Sequence, residues 1–60
     1  MRDGHGYIIE QVRQGAYVKV SAIDTRTGTE ASIVGDAKAS QEQLAKIAIQ
    51  KLEYVLRKKK

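Results

Sequence analysis

GAYVKVSAIDTRTG, residues 15–28, decides the architecture of this chain. Over residues 16–24, Val18, Val20 and Ala22 alternate with Tyr17, Lys19, Ser21 and Ile23, the period of two of a strand with one buried face. Punctuation stands on both sides of it. Gln14-Gly15 reads as a two-residue hairpin turn in which glycine supplies a positive φ. Thr25-Arg26-Thr27-Gly28 reads as a second, four-residue turn. A strand held between two turns is the middle of a meander.

The flanking segments fit that frame. Residues 7–13 put Tyr7, Ile9 and Gln11 on one face and Ile8, Glu10 and Val12 on the other, and residues 29–34 form the third strand. With Gln14-Gly15 as the loop, Ile9 pairs with Val20 and Tyr7 with Ala22, while Glu10 opposes Lys19 and Val12 opposes Tyr17. The second loop pairs Val20 with Ile33 and Ala22 with Ala31, so one apolar face crosses all three strands. Residues 35–39 connect to a helix. Ser40-Gln41-Glu42-Gln43 fits a capping box, with the Ser40 hydroxyl and the Gln43 amide each satisfying a backbone donor. The helix spans about residues 41–57, and Leu44, Ala45, Ala48, Ile49, Leu52, Val55 and Leu56 fall on one stripe. Its length of roughly 25 Å matches a strand of roughly 27 Å.

The expected fold is therefore α+β: a three-stranded antiparallel meander and one C-terminal amphipathic helix packed on one sheet face. Its core is Tyr7, Ile9, Val18, Val20, Ala22, Ala31 and Ile33 beneath the helix stripe. Residues 1–6 read as a flexible lead-in, 7–57 as the single βββα domain and 58–60 as a basic tail.

Sixty residues support only a small core, and the absence of cysteine removes disulfides, thiolate metal sites and cysteine nucleophiles. No apolar run approaches the roughly 20 residues that span a bilayer, and the first residues lack a secretory apolar stretch, so a cytoplasmic location and no membrane are expected. The net charge of +4 is local. Arg57, Lys58, Lys59 and Lys60 carry all of it; without them seven basic residues face seven acidic ones.

Apolar residues remain once the core is filled. Ile8, Val12, Tyr17, Ile23 and Val34 lie on the outer sheet face among Glu10, Lys19, Ser21, Glu30 and Ser32, and Ile47 and Tyr54 flank the helix stripe beside Lys51. A marginal chain gains most from a second copy, so these residues are the candidate interface of a homodimer or of another protein partner. The outer face is the more contiguous patch, and a free edge of the first or third strand is a further route.

Catalytic chemistry finds no support in the sequence. The sole histidine, His5, lies between Gly4 and Gly6, where nothing holds it as a base or ligand, and a strand rather than a helix follows this glycine pair. Asp24 suits a turn, and Asp36 and Glu42 suit a helix start. Ser21 and Ser32 face each other without a fixed base. No catalytic, cofactor or metal residue is assigned. Lys46, Arg57, Lys58, Lys59 and Lys60 are the candidate phosphate contacts of a nucleic-acid partner, which would also use Tyr17 and Lys19 of the outer sheet face.

Two resemblances add to this reading. GAYVKVSAIDTRTG, EASIVG and LAKIAIQKLEYVL resemble a family of short uncharacterised alphaproteobacterial proteins, a domain of unknown function, which implies no activity. The order of elements also resembles the βββα part of double-stranded RNA-binding domains, with Ser40 to Leu56 similar to their last helix. Gln41 and Glu42 stand where that family carries a basic pair, and only Lys46 matches its later basic residue. The expected function is a non-enzymatic interaction or accessory domain, with weak nucleic-acid binding as the alternative.

Overall fold

The computed structural model describes residues 6–58. Its order is β1 (Tyr7–Gln14), β2 (Tyr17–Asp24), β3 (Glu30–Asp36) and α1 (Gln41–Lys58), with the strands in the antiparallel order β1-β2-β3. The expected architecture is present.

The β2–β3 register is the expected one, with Val20 opposite Ile33 and Ala22 opposite Ala31 across a loop closed by Gly28 at φ 78°. Asp24 builds that loop. It is buried, its carboxylate accepts from the Arg26 N–H (3.3 Å) and the Thr27 hydroxyl (2.9 Å), and its carbonyl accepts from the Gly28 N–H (2.8 Å).

The β1–β2 register differs from expectation by two residues. Ile9 pairs with Ala22, Glu10 with Ser21, Val12 with Lys19, and Gln14 with Tyr17. The loop is Gly15-Ala16, not Gln14-Gly15. Gly15 has φ 62° and no described non-glycine residue has positive φ, so the positive angle falls on the first central residue alone, as a type II′ turn requires. A shift of two keeps every side chain on its expected face. It does separate the expected pairs: Glu10 does not oppose Lys19, nor Val12 Tyr17.

β3 runs two residues beyond its expected end, because β2 starts at Tyr17 and pairs Val18 with Gly35 and Tyr17 with Asp36. Gly35 is thus a strand residue. A Cβ there would stand 2.6 Å from Leu44 Cδ2, so its missing side chain lets the start of the helix approach the sheet. The helix is capped as expected on one side only: the Ser40 hydroxyl accepts from the Gln43 N–H at 3.2 Å, and no reciprocal bond from the Gln43 side chain forms.

The core is Val18, Val20, Ala22, Ala31, Leu44, Ala48 and Leu52, with Tyr7, Ile9, Ile33, Ile49 and Leu56 half-buried around it. Helix α1 lies over β2 and β3 and only marginally over β1. Tyr7 and Ile9 are therefore half-covered, and Gln11 and Arg13, on the same face, are exposed.

Candidate functional site

The sheet face opposite the helix has no second layer among the described residues. Its cross-strand rows are Ile8, Ile23, Glu30; Glu10, Ser21, Ser32; Val12, Lys19, Val34; and Gln14, Tyr17, Asp36. Ile8, Val12, Tyr17 and Val34 are between 49% and 67% exposed, and Ile23 is half-buried. The structure thus brings together all five residues assigned to this face. The Ser21 and Ser32 hydroxyls are hydrogen-bonded at 2.9 Å at its centre. Electrostatically the face leans acidic, with Glu10, Glu30 and Asp36 against Lys19 alone.

On the helix flank, Ile47 and Tyr54 are exposed, and the Lys58 ammonium sits 5.6 Å from the Tyr54 ring centroid. Lys51 does more than border them. Its ammonium donates to the Ser32 carbonyl at 3.0 Å, tying the helix to the outer edge of β3. The sequence carries no local signal for this contact, which depends on the crossing of helix and strand.

The candidate phosphate contacts do not form one site. Lys46 lines a shallow depression of about 310 Å³ with Ser40, Glu42 and Gln43 at the start of the helix. Arg57 lies eleven residues further along, roughly 16 Å at the helical rise. Arg57 and Lys58 end the helix, and Lys59 and Lys60 lie outside the described residues, as does His5. Of the expected lead-in only Gly6 is described, and its carbonyl accepts from the Thr25 N–H (3.4 Å) and hydroxyl (3.0 Å).

At the free end of β1, the Tyr7 hydroxyl donates to the Glu53 carboxylate at 3.3 Å. Partial burial, then the negative charge of Glu53, push the Tyr7 phenol above its ordinary value. Among the described residues no group of three or more histidine, aspartate or glutamate side chains is placed to hold a metal ion, and no helix is long and apolar enough to cross a membrane.

These features define a small α+β domain with one covered and one open sheet face among the described residues. Residues 4–60 match the family described as a domain of unknown function (DUF6898), and the chain belongs to that family. No curated protein and no solved structure matches it. That description names no activity, and comparison with known proteins shows no resemblance to double-stranded RNA-binding domains.

Proposed function

We propose that the chain is a non-enzymatic interaction domain that works as a homodimer in a cytoplasmic setting, with its open sheet face as a surface offered to a binding partner. The uncovered face supports the partner-binding part of this reading, and the small core, to which a second copy would add, supports the homodimer. Four large apolar side chains stand at least half exposed, or nearly so, on adjacent strands, while among the described residues seven apolar residues are buried in the core. Sedimentation equilibrium from micromolar to millimolar concentration tests it: a dimer is expected, and a chain monomeric throughout overturns it.

Nucleic-acid contact through Arg57–Lys60, Lys46, Tyr17 and Lys19 has less support. Three carboxylates oppose phosphate on the face that holds Tyr17 and Lys19. Any binding should disappear when residues 57–60 are removed and should fall with salt along a shallow slope.

A further inference from the structure

The two edges of the sheet are not equivalent. In an antiparallel ladder, alternate residues turn their backbone groups toward the neighbouring strand and the others turn them away. The Asp24 N–H donates to the Thr29 carbonyl and the Ala37 N–H to the Ala16 carbonyl, so on β3 the groups of Glu30, Ser32, Val34 and Asp36 face outward. Two of those outward carbonyls are taken: Ser32 by the Lys51 ammonium and Asp36 by the Ala39 N–H. Lysine across an edge is a common device against strand addition.

β1 has no such protection. The Thr25 N–H donates to the Gly6 carbonyl, which sets the alternation: Ile8, Glu10, Val12 and Gln14 face β2, while Tyr7, Ile9, Gln11 and Arg13 direct their N–H and C=O groups outward. Among the described residues none of these outward groups has a hydrogen-bond partner. The register runs through all eight residues without a bulge, the strand has no proline, and the helix stands back over β2 and β3. Unpaired strand edges of this kind take up another strand.

We infer that a second copy of this chain pairs with the outer edge of β1, antiparallel to it, in the register that sets Ile9 opposite Ile9 of the second copy. The inference rests on the homodimer reading and names the edge through which it forms. A twofold axis normal to the sheet keeps both helices on one side and opposes odd residues to odd, even to even. Charge and burial then choose the register. Centring on Glu10 brings two carboxylates together. Centring on Gln11 sets Ile9 against Arg13. Centring on Ile9 joins the two half-buried isoleucines, sets Tyr7 against Gln11, and runs an apolar strip from one core to the other. Stacking the two open faces instead would gather six carboxylates around two lysines, an arrangement electrostatics opposes.

Amide exchange on the wild-type protein decides the matter. At concentrations where the dimer forms, the amides of Tyr7, Ile9 and Gln11 slow relative to dilute protein, while those of Ile8, Glu10 and Val12 exchange at an unchanged rate. Gln11→Pro removes an outward donor without touching the β1–β2 ladder. It weakens association by at least about tenfold, two backbone bonds being lost per dimer. Tyr17→Ser with Val34→Ser, on the open face, leaves the dimer intact. A dimer lost with the face pair while the odd-numbered amides exchange freely at every concentration overturns the edge and leaves the homodimer reading standing. A monomer at millimolar concentration overturns both, and the exchange data hold even if the proline variant fails to fold.

Discussion

β1 and β2 are the two arms of one hairpin, equal in length at eight residues and similar in apolar alternation, yet their burial is opposite. β2 holds buried Val18, Val20, Ser21, Ala22 and Asp24, and β1 holds no buried residue. The strand's own pattern does not account for this. β2 has a neighbour on each side and the helix above it, whereas β1 has one neighbour and little of the helix. Alternation says which face of a strand turns inward; the third layer decides whether anything meets it there.

Four changes probe that contrast. The largest effect belongs to Leu52→Ala, since Leu52 is fully buried where the helix crosses β2 and β3. A loss of about 2–5 kcal/mol in urea denaturation is expected, leaving much of so small a domain unfolded. Gly35→Ala pushes a methyl group into Leu44 on the same covered side. Its expected loss is about 1–3 kcal/mol, and an alanine variant as stable as wild type would show that the helix start can step back freely.

Ile9→Ala makes the comparison direct, as an apolar residue on the same sheet face but on the poorly covered strand. Thermal melts of the monomer should place its loss near about 1 kcal/mol, below the range for buried aliphatics. A loss equal to that of Leu52→Ala would erase the distinction between the two strands. The smallest effect is Tyr7→Phe. Because the folded state holds the Tyr7 phenol above 10.0, the unfolded chain ionises first, so stability present below that value is lost as pH rises through the folded pKa. Melts across alkaline pH should decline less steeply for the phenylalanine variant.

Element order, faces, the β2–β3 register and the buried centre of the core were legible, because hydrophobic period and turn residues agree with one another over most of the chain, whereas the thin cover over Tyr7 and Ile9 was not. The β1–β2 register was not. Shifting it by two conserves every face, so an alternation test is blind to the error, and only the position of Gly15 within the turn separates the two pairings. Gly35 misled for a different reason. Glycine ordinarily signals a loop, whereas here it clears room for Leu44 within a strand. The apolar set on the outer face was fully readable from parity. The difference between the sheet edges was not, since it depends on Lys51 reaching a carbonyl nineteen residues away.

In the proposed strand-edge dimer, the lysine contact, together with the Ala39 N–H on Asp36, bears on how many ends the sheet can grow from. A unit with a single open edge is monofunctional: once two such units have joined, neither has an end left and assembly stops. Release the Ser32 carbonyl, by Lys51→Ala, and each unit of that dimer becomes closer to bifunctional, the condition for chain growth rather than pairing. In the proposed strand-edge dimer Lys51 would then act as a chain terminator, helping to hold the assembly to two members.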